Sequence, residues 1–392
     1  MKIPFEYGSI AEKDSFIDRV EDRKQLKTFL GGGINVMLIS PRRWGKSSLV
    51  KAAMDELKQE DANVRVCYID AYTISSEEDF YNKFASAVIQ GVSSSMEKRW
   101  NDFVNFIQGI VPSITLNSDP MNSVAINLSY KPIKDSAENI LNLPEKIASA
   151  KGIHIIVCID EFQNLANLKN WKNIEGTMRS VWQHHHSTTY CLYGSKRHMM
   201  MDIFGNSNNP FYRFGQVLKI GKIDKSYWIP YIIENFERYD KYISTEFAER
   251  ICNQVKCHSW YVQQFCFLIW THTEEKVTED IYTQQLQALI DTNADMFLSD
   301  IEGIPMTQVA MLKAIAEGES QFNAKETVNK YSLGSPRTIT KNKQIIIKKD
   351  IVEKTGNEYT FIDPVFELWF RQTYLNDSIT RLSLPSTSRS DH

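Results

Sequence analysis

The segment Ile34–Leu49, INVMLISPRRWGKSSL, holds the residues with the clearest chemistry in the chain. An apolar run delivers Gly45, Lys46 and Ser47, and the residues that follow, SLVKAAMDELK, read as a helix. That order suits a phosphate-bearing ligand. Backbone N–H groups in a tight turn wrap phosphate oxygens, a lysine reaches the terminal phosphates, and a hydroxyl serves Mg²⁺. The positive end of a helix then faces the anion. On this reading Val36–Ile39 is the strand, and Ser40, Pro41, Arg42, Arg43, Trp44 and Gly45 form the loop. Lys46 is the cation, Ser47 the Mg²⁺ ligand, and Ser48 opens the helix. The pattern GxxxxGK[ST] asks for glycine where this chain has Ser40, a side chain small enough to follow the turn at negative φ. Arg42 and Arg43 either touch phosphate or line the rim, where they can meet another domain.

A second constellation follows the apolar run IHIIVCI, which ends in Asp160-Glu161-Phe162-Gln163. An acid at the carboxyl end of a buried strand can hold Mg²⁺ through water, and the acid after it can polarise a water for in-line attack on a phosphoryl group. Acids also favour helix starts for purely structural reasons, but a phosphate loop upstream favours the chemical role. Ser195, after the run TYCLY and Gly194, can orient water or touch the terminal phosphate if its strand lies beside that of Asp160; otherwise it is a turn serine. Arg213, in NPFYRF, is either an arginine finger supplied by a neighbouring subunit or moving domain, or a surface arginine packed on Phe211 or Phe214.

These residues need a scaffold. Apolar runs at Val64–Asp70, Ile153–Ile159, Thr189–Tyr193 and Val217–Ile223 alternate with helical stretches, which indicates an α/β fold with a parallel sheet covered on both faces. A helix over residues 16–30 precedes the loop, and Gly31-Gly32-Gly33 breaks it. Ser113–Tyr130 alternates about Asn117-Ser118-Asp119-Pro120, as a β-hairpin insertion would. The expected organisation is a P-loop core over 1–223, a helical lid over 224–300, a winged helix-turn-helix over 301–375, and a disordered tail over 376–392.

The C-terminal module reads as helices Thr307–Ala316 and Ala324–Tyr331, then Arg337–Lys348 capped by Ser335, then a hairpin over Ile351–Phe361. Arg337, Lys341, Lys343, Lys348 and Lys349 make residues 335–349 basic, so this helix can lie in a DNA major groove. Equally, the module can serve protein contact, its charges a solvated face.

Bulk properties narrow the field. The chain has 392 residues, 42% hydrophobic and 24% charged, with net charge −3, so any nucleic-acid contact must be local. No apolar h-region opens the sequence and no long uninterrupted apolar stretch follows, so neither signal peptide nor membrane span is expected. Six cysteines without CxxC, three of them in strand-like runs, suit a reducing, cytoplasmic setting. His184-His185-His186 reads as a surface helix end rather than a metal site.

Taken in order, FIDR with Glu21, SPRRWGKSS, CIDEFQ, YGS and NPFYRF resemble the archaeal-type ATPase family, within the AAA+/STAND group of P-loop ATPases. The resemblance covers almost the full length and implies an N-terminal helix, ATPase core, helical lid and winged helix. It implies binding of ATP with Mg²⁺ and hydrolysis to ADP, with Lys46, Asp160 and Glu161 in the roles above. The non-glycine start at Ser40 is common in that family. His258–Gln263 is similar to its lid-helix start, with His258 where glycine is frequent. The function expected is a nucleotide-driven switch acting on a protein or DNA partner, possible as a homo-oligomer; a slow-hydrolysing scaffold and a DNA-binding regulator are the alternatives.

Overall fold

The computed structural model describes residues 4–8, 17, 19–93, 100–111, 114–115, 127–128 and 134–383. Two compact units divide the chain. One comprises residues 19–42 and 46–221, the other residues 1–18, 43–45 and 222–392.

The first unit runs α1 (Val20–Gly31), β1 (Val36–Ile39), α2 (Lys46–Glu60), β2 (Val64–Asp70), α3 (Glu77–Ser93), α4 (Trp100–Ile110), β3 (Ile114–Thr115), β4 (Asn127–Leu128), α5 (Lys134–Leu141), α6 (Leu143–Lys151), β5 (His154–Asp160), α7 (Trp171–Trp182), β6 (Thr188–Gly194), α8 (Arg197–Gly205) and β7 (Gln216–Lys219). Five strands form a parallel sheet in the order β2-β5-β6-β1-β7. Successive residues of a strand face opposite sides. Ile155, Val157 and Ile159 accordingly join one apolar cluster with α3 to α7, while Ile156 and Cys158 are equally buried on the other side. That double burial explains the unbroken apolar run of β5. The insertion pairs β3 antiparallel to β4, with Ile114 opposite Leu128; its turn lies outside the described residues.

At the centre of this cluster Trp182 is almost fully buried and stacks on Tyr190 with centroids 4.0 Å apart and planes 16° from parallel. Truncation would lose both the burial and the stacking and leave a cavity. Trp182→Ala is expected to lower unfolding stability by about 3–5 kcal/mol, read from denaturant midpoints at unchanged m-value. A change below about 1 kcal/mol would contradict this packing.

The second unit contains α9 (Lys225–Glu237), α10 (Thr245–Gln254), α11 (Ser259–His272), α12 (Glu279–Glu302), α13 (Met306–Ala316), α14 (Lys325–Tyr331), α15 (Pro336–Lys348), β8 (Val352–Thr355), β9 (Glu358–Phe361), α16 (Pro364–Leu375) and α17 (Ile379–Ser383). Helix α12 runs through residue 300, and Leu286, Leu289, Ile290 and Phe297 along it share one core with residues of α11 and α16. Ser335 caps α15 by accepting a hydrogen bond from the Thr338 amide, and β8 pairs antiparallel with β9 as a wing.

Three expectations are corrected. Helix α1 begins at Val20, and Arg19 stands outside it in left-handed backbone (φ 67°), because its side chain turns to the Gly221 carbonyl at 3.0 Å and to Asp22 at 3.0 Å. The tail over 376–392 is expected to be disordered, yet α17 forms within it with Leu382 buried; Asp377 pairs with Arg371 of α16 and with Arg381. Residues 384–392 lie outside the described set. Of the three histidines at the end of α7, His184 and His186 are exposed, but His185 is half-buried: it lies between Tyr190 Oη (2.9 Å) and Asn142 Oδ1 (3.1 Å), and burial pushes its pKa down to about 4. Among the described residues no cluster could hold a metal through His, Cys, Asp and Glu alone, and no helix is long and apolar enough to cross a membrane. The six cysteines are free thiols.

Candidate active site

Parallel pairing brings the carboxyl ends of β2, β5, β6 and β1 to one edge, where open α/β sheets bind ligands. In register, Asp70 lies opposite Asp160, and Ile39 opposite Gly194. Strand β6 sits between β5 and β1, which is the order that a polar role for Ser195 requires.

The loop after β1 begins at Ser40, fully buried, whose hydroxyl donates to the Pro41 carbonyl at 3.1 Å. Arg43 (φ 64°) and Gly45 (φ 81°) adopt left-handed backbone. Gly45 does so without steric cost, whereas Arg43 is a strained residue inside a turn. Arg42 and Arg43 are exposed. Residues 43–45 group with the second unit, where the Arg43 guanidinium lies 4.8 Å from the Trp260 ring centroid and 3.5 Å from Tyr261 Oη. Trp44 is buried edge-on to His258, at 6.3 Å and 89°.

Lys46 and Ser47 begin α2. Lys46, only 7% exposed, has its Nζ 3.3 Å from Asp160 Oδ1 and 3.2 Å from Glu161 Oε1. Ser47 Oγ donates to Asp160 Oδ2 at 2.6 Å. Asp160 Oδ1 also accepts from the Glu161 amide at 2.7 Å, so this acid is directed by its own backbone rather than capping a helix. A 3-10 turn over Phe162–Asn167 follows, and Glu161 enters it in left-handed backbone (φ 48°).

The Glu161 carboxylate is surrounded by donors. Its Oε2 accepts from Ser195 Oγ at 2.7 Å, from the Ser195 amide at 3.3 Å and from Gln163 Nε2 at 2.5 Å. Burial pushes its pKa up, but the Lys46 charge and the hydrogen bonds from Gln163, Ser195 and Lys46 outweigh burial and leave it below the ordinary value. The group is therefore ionised near neutral pH. Lys46, Ser47, Asp160, Glu161 and Ser195 thus form one connected set. Ser48, also buried, continues α2 behind them.

Arg213 stands apart from this set. It is exposed, in left-handed backbone (φ 55°), with its guanidinium 5.1 Å from the Tyr212 centroid. The Phe214 ring carries the Arg179 guanidinium at 5.4 Å, and Phe211 is buried in the core cluster. In the winged region Arg337, Lys341, Lys348 and Lys349 are exposed, and half-buried Lys343 lies over Phe322 (4.4 Å) and Tyr359 (5.3 Å). The residue that sequence reasoning passed over at the site is Gln163, although it stands inside the quoted motif CIDEFQ.

A family model described as a probable winged helix domain matches residues 295–372. Among solved structures, the Walker-type ATPase PABY2304 of Pyrococcus abyssi is similar with a TM-score of 0.68 at 17% identity, over 94% of this chain and 100% of that one. The ORC2 protein of Aeropyrum pernix, in ADPNP–ADP complexes, is similar with a TM-score of 0.57 at 11% identity, over 98% of this chain and 99% of that one. No curated protein matches the sequence. At such identities the likeness speaks for fold. The chain has the fold of the Walker-type P-loop ATPases with a C-terminal winged helix, the architecture that its resemblance to the archaeal-type ATPases implies.

Proposed function

We propose that the chain binds ATP with Mg²⁺ and hydrolyses it to ADP and phosphate, acting as a nucleotide-driven switch. The observation that carries this reading is the convergence of four residues from two separate strand ends: Lys46 lies 3.3 Å from Asp160 and 3.2 Å from Glu161, and Ser47 lies 2.6 Å from Asp160. A lysine held between two carboxylates at the start of α2 is close to the loop, ready to exchange those partners for phosphate oxygens. Ser47 Oγ and Asp160 Oδ2 are hard oxygen donors side by side, a fit for Mg²⁺. When bound, that ion supplies charge that neutralises the phosphates.

In this reading residues 40–48 hold the phosphates and Glu161, ionised, takes the proton of the attacking water. Ser195 orients Glu161, and exposed Arg213 is offered to a neighbouring copy in a homo-oligomer. Residues 1–223, 224–300 and 301–375 serve as core, lid and winged helix. Support for adenine comes from the Aeropyrum pernix neighbour, whose complexes carry ADPNP and ADP. The free thiols suit a cytoplasmic setting. The test is steady-state phosphate release by the purified chain with Mg·ATP. Saturable turnover is expected, and its absence at any ATP concentration would sink the hydrolytic reading.

A second reading concerns the partner. Arg337, Lys341 and Lys348 recur at spacings of four and seven along the solvent side of α15, whose opposite side buries Ile339, Asn342 and Ile346. That pattern favours duplex DNA over a protein partner for residues 335–349. Each phosphate neutralised adds about −0.9 to the slope of log K against log salt, so a slope of about −3 is expected. Lys341→Ala with Lys348→Ala should reduce it by about 2. Salt-independent binding, or none at low salt, would leave the protein-partner alternative.

A further inference from the structure

Glu161 can act as a base only if one carboxylate oxygen faces the water while the other is fixed. The structure shows how that division can arise. Oε1 faces Lys46 at 3.2 Å, whereas Oε2 takes every other donor: Ser195 Oγ, the Ser195 amide and Gln163 Nε2. Gln163 is fully buried, and because a carboxylate only accepts, its amide nitrogen must be the atom that faces Glu161. The opposite side of that amide is also determined. A Cβ placed on Gly194 would lie 1.8 Å from Gln163 Oε1 and 2.9 Å from Met200 Sδ, so the side chain occupies the space that glycine leaves at the end of β6. Two features therefore fix the amide: the carboxylate before it and the bare backbone beneath it.

We infer that Gln163 is a positioning residue for hydrolysis: with Ser195 it holds one oxygen of Glu161 so that the other is presented to the attacking water when Lys46 turns to phosphate. Its contact in the structure is with Glu161, through which it acts. Because Glu161 also has left-handed backbone, the side chain starts from a conformation of its own that rotamer choice alone would not aim. The inference rests on the ATPase reading above, and its test is built so that the two can fail separately.

The experiment is steady-state hydrolysis and nucleotide titration with the full chain as wild type, Gln163→Ala, Gln163→Leu, Gly194→Ala and Gln163→Ala with Gly194→Ala. Misaiming a catalytic group by about 1 Å costs about 10- to 100-fold in rate. Gln163→Ala and Gln163→Leu are expected to lower kcat by that factor, with KM and nucleotide Kd changed by less than about 3-fold. Gly194→Ala should do the same by displacing the amide. The double variant should be no slower than the worse single one, since both act through one hydrogen bond. Gln163→Leu keeps the volume without the donor, so it carries the test if Gly194→Ala does not fold. Wild-type turnover with kcat unchanged in both Gln163 variants overturns the inference and leaves the ATPase reading standing. Multiplying effects in the double variant also overturn it. Absence of wild-type turnover overturns both.

Discussion

Lys46→Ala is expected to weaken Mg·ATP binding by at least about 10-fold for each charge-assisted hydrogen bond lost, at roughly 1.5–3 kcal/mol apiece, and to abolish measurable hydrolysis. The reason is positional. Lys46 follows the left-handed Gly45 at the start of α2, so its charge and the first amides of the helix point to the same place. The variant also leaves Asp160 and Glu161 with no cation at 3.2–3.3 Å, and two neighbouring carboxylates then repel an incoming triphosphate. Calorimetric titration reads both effects as one loss of affinity. Unchanged affinity would mean that phosphate is held elsewhere.

Glu161→Gln separates binding from chemistry. Glutamine has nearly the same shape and can still meet the Ser195 hydroxyl, but it cannot accept the proton of water. Loss of a general base costs about 10²- to 10⁴-fold in kcat. Nucleotide affinity is expected to hold or to rise, because the substitution removes a negative charge that lies 3.2 Å from Lys46. Single-turnover phosphate release measures the first effect and equilibrium titration the second. Equal losses in both would make Glu161 a binding group rather than a base.

Much of this was readable from residue order. The central strands are buried on both faces, so β1, β5 and β6 appear in the chain as plain apolar runs, and the acids and serine that follow them sit at one sheet edge because the strands are parallel. Ser335 announced α15 because an N-cap is a local signal. What escaped depends on distant partners. Gln163 takes its meaning from Gly194 in another strand, and the half-buried state of His185 from Asn142 and Tyr190. Just before α17, Asp377 pairs with Arg371 on the preceding helix, a contact that a serine-rich stretch does not reveal. Helix α16 opens with Asp363-Pro364, a cap and first-turn signal that local reading could have used. The diversion of Lys343 onto two aromatic rings likewise follows from the fold of the wing and not from the charge run.

The most direct test is calorimetric titration of the wild-type chain with Mg·ATP beside Lys46→Ala. A single saturable heat in the wild type, absent from the variant, is the expected outcome. No heat in the wild type, or the same heat in both, would remove the loop before α2 as a phosphate site.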